Sequence, residues 1–219
     1  MTATAGSRSA PAPLVLDTPH GQAQVHLHPA DDAIAALVLG HGAAGGVASR
    51  DLVAVTGVAL AERVSVALVE QPYRVAGRRS PAPAHQLDAA WVAVVDHLRT
   101  GDLQGLSFVV GGRSLGARVA CRTATATRAV AVLCLAFPLQ PPRRSGAGVA
   151  PSRLSELDEV TVPTLVVQGA RDPFGIPPAT AHRTVVQVAG DHGLRTDLDA
   201  VAAAVRAWLP RAVDRRRGE

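Results

Sequence analysis

Residues 108–120 read FVVGGRSLGARVA: an apolar run stops at two glycines, and after Arg113 and Ser114 the chain resumes with helical spacing. Two readings compete. In one, the glycines merely punctuate the passage from strand to helix and Ser114 caps the helix. In the other, Ser114 is a nucleophile on a strained turn, its hydroxyl lifted above a sheet. The glycines at 112 and 116 are then required, because a side chain at either would crowd the turn. GRSLG alone does not decide the matter. A serine hydroxyl is a poor nucleophile at neutral pH, so it needs a base, and the base needs a carboxylate to fix its tautomer.

The flanking pattern shows where such partners would stand. Short apolar runs predict strands at 14–17, 23–28, 34–40, 64–69, 106–111, 130–136, 164–168 and 184–188. The first two flank Thr-Pro-His-Gly and read as a hairpin. Helical spacing predicts helices at 49–63, with Ser49 as N-cap, and at 84–99, 115–124, 151–159 and 197–208. Alternation of this kind implies an α/β fold with a mostly parallel sheet of seven or eight strands and helices on both faces. Ligands in such sheets bind beyond the carboxyl ends of the strands. At those ends stand HGAAGG (41–46), GRSLG (112–116), GARDPF (169–174) and AGDHG (189–193). A Ser, an Asp and a His thus follow one another in chain order, each just past a strand.

These four segments, within LGHGAAGG, GGRSLGARVA, VVQGARDPF and GDHGL, resemble the α/β-hydrolase superfamily, close to its small, lidless, dienelactone-hydrolase-like branch. The similarity runs from about Leu14 to Leu209. EQPYRVAGRRSPAP and FPLQPP further resemble a group of predicted hydrolases of unsettled substrate, which includes a relative in eukaryotic chromatin complexes. The resemblance implies a three-layer sandwich in which Ser114 is the nucleophile, Asp172 the orienting acid and His192 the base. It implies an oxyanion hole from the backbone N–H of Leu115 and of Ala43, with Ala44 the alternative donor. The implied activity is hydrolysis of a small ester, thioester or lactone through an acyl-enzyme, without cofactor or metal. A peptidase of the same fold, or a catalytically silent scaffold binding a protein partner, are the alternatives.

Asp191, beside His192, is the weaker candidate acid, since sequence neighbours rarely point at each other's rings. His41 is expected to shape the oxyanion loop. GAAGG lacks the Lys-Ser/Thr of a phosphate loop and the spacing of a dinucleotide loop, which argues against a nucleotide. Arg74 and Arg78, with Arg79, fall in the loop after strand 64–69 and are candidates for binding an anionic acyl substrate. Arg113, Arg143 and Arg144 extend that set; the competing readings are that all are solvated, or that Arg113, as the residue before an elbow serine, points away from the cleft and packs against a neighbouring loop. The segment from Phe137 to about Pro151 leaves few residues for a lid, so an open site is expected.

Composition bounds the rest. The chain has 219 residues, 47% hydrophobic and only 3% aromatic, with a formal net charge of +4. That length and composition suit one domain at 14–210, between a disordered segment at 1–13 and a basic tail at 211–219. With few aromatics to stack bases, nucleic acid is not expected as a partner. All 22 cations are arginine, as codon bias in a GC-rich genome would produce. Cys121 and Cys134 form no metal or disulfide framework and read as packing. No run reaches the ~18 apolar residues of a membrane span. A cytoplasmic protein, monomeric or homodimeric, is expected.

Overall fold

A computed structural model describes residues 12–141 and 151–214. Eight strands form one sheet: β1 (Leu14–Thr18), β2 (Gly21–His28), β3 (Ala35–Gly40), β4 (Val64–Glu70), β5 (Ser107–Arg113), β6 (Ala131–Leu135), β7 (Thr164–Gly169) and β8 (Arg183–Val188). Their order across the sheet is β1-β2-β4-β3-β5-β6-β7-β8. The β1–β2 hairpin pairs antiparallel with itself and with β4, and every later pairing is parallel. The helices are α1 (Arg50–Ala61), α2 (Pro72–Val75), α3 (Ala84–Thr100), α4 (Leu115–Thr123), α5 (Leu154–Asp158) and α6 (Leu198–Asp214).

Alternation along each strand sends successive side chains to opposite faces. In β3, Ala36 and Val38 join the core under α3 and α4, together with Trp91, Phe108 and Val110. Leu37 and Leu39 join the other core, under α1 and α6, with Leu52, Val55, Leu133 and Leu209. Every residue of β3 is buried, as a continuous apolar run between two helical layers requires. Each buried Leu or Val contributes about 1.5–3 kcal/mol. Among the described residues, no helix is long and apolar enough to cross a membrane.

Three local features differ from the sequence reading. Ser49 stands at the N-cap of α1, but its hydroxyl makes no capping bond; the acid in the first turn is Asp51. The loop after β4 opens with the short helix α2, started by Pro72 at its first position. Helix α6 continues through Pro210 to Asp214, because Leu209, Ala212 and Val213 are buried against the core. That packing outweighs the hydrogen bond Pro210 cannot make. Residues 211–214 of the expected tail are therefore helical; 1–11 and 215–219 lie outside the described residues.

Candidate active site

Because β3 to β8 run parallel, their carboxyl ends collect HGAAGG, GRSLG, GARDPF and AGDHG on one edge of the sheet. Ser114 lies between β5 and α4 with φ 51° and ψ −104°. A non-glycine residue in such a region is held there at a cost of about 1–3 kcal/mol. The neighbours enforce it: Ser114 N–H donates to Leu135 O (2.9 Å) and Gly116 N–H to His41 O (3.1 Å). A Cβ on Gly112 or on Gly116 would collide with the Gly40 carbonyl. The elbow thus fits against β3 only with glycine at both positions.

The loops after β7 and β8 are stitched together by Ala170 N–H to Val188 O (2.8 Å) and Arg171 N–H to Gly190 O (2.9 Å). Gly169 permits that approach, since a Cβ there would run into Asp191 O. The result places Asp172 and His192 side by side. His192 Nδ1 lies 2.8 Å from Asp172 Oδ2, and His192 Nε2 lies 2.9 Å from Ser114 Oγ. A carboxylate only accepts, so Nδ1 carries the proton and Nε2 accepts from the serine hydroxyl. Asp172 is itself held by Phe174 N–H to Oδ1 (2.9 Å) and Gln168 Nε2–H to Oδ2 (2.7 Å). Phe174 packs on the imidazole, ring centroids 4.4 Å apart. Asp191 turns away and accepts from Gly193 N–H (2.8 Å).

His41 is buried, and its ring is wholly committed. Gln71 N–H donates to Nε2 (3.2 Å), so Nδ1–H donates to Gly42 O (2.8 Å). Burial is the main cause that lowers its pKa, keeping it neutral. The Tyr73 hydroxyl donates to Ala43 O (3.2 Å), fixing the same loop from the other side. Leu115 opens α4, where the first N–H groups lack an intrahelical acceptor. Ala43, Ser114 and Leu115 line one cavity of about 410 Å³, whereas exposed Ala44 does not line it.

That cavity continues over Leu87, Pro138 and Phe174 to three guanidinium groups, of Arg118, Arg122 and Arg153. Arg118 pairs with Glu156 (Nε–Oε2 2.9 Å) and Arg122 with Asp88 (Nε–Oδ2 2.8 Å). Arg153 donates to Pro138 O (3.0 Å) and, among the described residues, has no carboxylate partner. Burial, and then Arg118 beside it, push its pKa down. The structure does not bring Arg74 and Arg78 to this cavity. Helix α2 turns the chain so that Arg74 stands by His41, and Arg78 lines a neighbouring cavity of about 360 Å³ with His20, Tyr73 and Gln86. Arg143 and Arg144 lie outside the described residues, as does most of the segment expected to be too short for a lid.

Sequence reasoning passed over Gln168, Phe174 and the cavity arginines. Gln168 had a signal, a polar residue ending the apolar run of β7. Arg118 and Arg122 had one as well, standing four and eight residues after Ser114 on one helix face. Cys121 and Cys134 are buried and free, Sγ to Sγ 3.5 Å.

The sequence profile of the alpha/beta hydrolase domain matches residues 33–199. Among solved structures, the fold is similar to Est1E from Butyrivibrio proteoclasticus (TM-score 0.77, 16% identity, 94% of this chain and 100% of that one). It is also similar to a dienelactone hydrolase from Anabaena variabilis (TM-score 0.74, 18% identity, 93% and 99%). An a/b serine hydrolase without lid from Xanthomonas campestris aligns with a TM-score of 0.67 at 20% identity, covering 91% and 95%. No curated protein matches the chain. At these identities the likeness is one of fold.

Proposed function

The chain belongs to the alpha/beta hydrolase family, and from that premise we propose that it is a serine hydrolase cleaving a small ester, thioester or lactone through an acyl-enzyme on Ser114. The observation that carries the reading is the unbroken line from Asp172 Oδ2 through both ring nitrogens of His192 to Ser114 Oγ, at 2.8 and 2.9 Å. A structural serine has no use for a buried acid two bonds behind it.

In this mechanism Ser114 Oγ attacks the substrate carbonyl carbon as His192 Nε2 takes its proton. The oxygen that gains charge is held by the N–H groups of Leu115 and Ala43, whose surroundings are already fixed by Gly116, His41 and Tyr73, so little reorganisation accompanies the step. Asp172 keeps Nδ1 protonated and stabilises the imidazolium. His192 then protonates the leaving alcohol or thiol, and water attacks the acyl-enzyme by the reverse sequence, with His192 as base.

The cavity limits the substrate. A cavity of about 410 Å³ is of a size to hold a small acyl ester. Its one guanidinium without a carboxylate, among the described residues, is that of Arg153, which favours substrates with an acidic group. The anion-binding role first assigned to Arg74 and Arg78 passes to Arg153 in this reading.

A fluorophosphonate probe, which reacts only with an activated serine, tests the proposal. Labelling of the wild type and none of Ser114→Ala is the expected outcome. An unlabelled, folded wild type would favour a silent scaffold in its place.

A further inference from the structure

Arg113 stands next to the nucleophile, yet its guanidinium leaves the cavity and runs behind the elbow. There it meets three separate pieces of the site. Its Nε lies 2.9 Å from Asp51 Oδ2, and that side chain is 1% exposed. Its Nη2–H donates to the backbone O of His192 at 2.9 Å. A Cβ on Gly42 would come within 2.9 Å of Nη1, so the remaining nitrogen lies against the loop leading to Ala43. Asp51 is anchored in turn, its Oδ1 accepting from Leu52 N–H (3.0 Å) in the first turn of α1.

A buried ion pair is a weak source of stability, since desolvation of both charges offsets most of their attraction. This one does something a hydrophobic pair of equal size could not. The guanidinium is a rigid planar fork that can hold an anion on one edge and a carbonyl on the other. It therefore joins the backbone of His192, through a hydrogen bond, to Asp51 of α1, whose Oδ2 meets the guanidinium as a close charge contact rather than along an N–H. Elsewhere the base is held at its ring, through Asp172, within its own turn, through Asp191, and at Gly190, whose carbonyl accepts from Arg171 N–H in the loop after β7. Among the described residues, the bond from Arg113 is the one that ties the His192 backbone to the elbow.

We propose that Arg113, seated on Asp51, is a positioning residue that holds the His192 backbone so that Nε2 stays in line with Ser114 Oγ. The inference rests on the serine-hydrolase reading above. A displacement of about 1 Å between base and nucleophile costs about 10²-fold in rate.

The test uses two variants of the full chain. Arg113→Lys keeps the charge, but a single ammonium cannot reach both Asp51 and the His192 carbonyl. The double variant Asp51→Asn/Arg113→Met removes both charges and leaves neither buried alone. Both are expected to lose about 10²-fold in kcat with KM unchanged, and to react with the fluorophosphonate probe more slowly in proportion, while Tm stays near the wild-type value. A purely structural role would move Tm and leave the kcat of the folded fraction intact. Wild-type kcat and labelling rate in a folded variant overturn the inference and leave the hydrolase reading standing, as does a rise in KM without loss of kcat. If Arg113→Lys does not fold, the double variant decides. An unlabelled wild type removes the hydrolase reading and the inference with it.

Discussion

Replacing Asp172 by Asn is the sharpest perturbation of this site, because volume is kept and only one charge and one acceptor change. Asp172 Oδ2 faces two donors, His192 Nδ1–H and Gln168 Nε2–H, while Oδ1 faces the Phe174 N–H. An amide placed with its NH₂ at Oδ2 turns its donor on Gln168 and drives His192 to the other tautomer, with Nε2 protonated and unable to accept from Ser114. Placed with its NH₂ at Oδ1, it opposes the Phe174 N–H and keeps the His192 tautomer. In either pose the imidazolium loses its negative partner. Two unit charges about 4 Å apart at an effective dielectric of 20 interact by about 4 kcal/mol. At 1.36 kcal/mol per decade that is about 10³-fold in kcat, and more if the wrong tautomer prevails. The assay is steady-state hydrolysis of a short chromogenic acyl ester, with circular dichroism to establish folding. Asp191→Asn is the control, since that carboxylate only closes a turn on Gly193. A crippled Asp191→Asn beside an active Asp172→Asn would refute the assignment of the acid.

Three further outcomes are expected. Ser114→Ala should lose about 10³-fold or more of ester hydrolysis while remaining folded; near-normal turnover by the folded variant would sink the mechanism. Arg153→Ala should abolish a preference in kcat/KM for a carboxylate-bearing ester over its neutral isostere, a preference the wild type should show; equal values in the wild type would remove the case for an anionic substrate. Turnover of a long-chain ester should not jump as it passes its critical micelle concentration; a jump would mean a covering element gates the site.

The strands and the Ser-His-Asp line were legible because their signals are local. GRSLG, GARDPF and GDHGL each end an apolar run, and a parallel sheet carries such ends to one edge wherever the strands fall in order. The arginines were not legible for the opposite reason. Whether Arg74 or Arg153 reaches the cavity depends on how α2 and α5 turn relative to the sheet, which is settled by packing between distant elements. For Arg113 the direction away from the cavity was one of the readings the sequence offered, but its partner was not legible, because Asp51 stands sixty-odd residues earlier in the chain. The continuation of α6 past Pro210 was hidden because a local rule, proline ending a helix, yielded to burial of Leu209 and Val213.

The strand order has a consequence in time. Strand β4 lies between β2 and β3, so the sheet cannot grow in the sequence in which a ribosome delivers it. The hairpin β1–β2 waits, edge exposed, until β4 emerges and is captured, and β3 lies open on its other side until β5 arrives. Ser114 follows β5, but the turn bearing His192 follows β8, the last strand in chain order among the described residues, which pairs with β7 at the edge of the sheet. In the proposed mechanism Ser114 therefore has no base to take its proton until the turn after β8 is in place beside it.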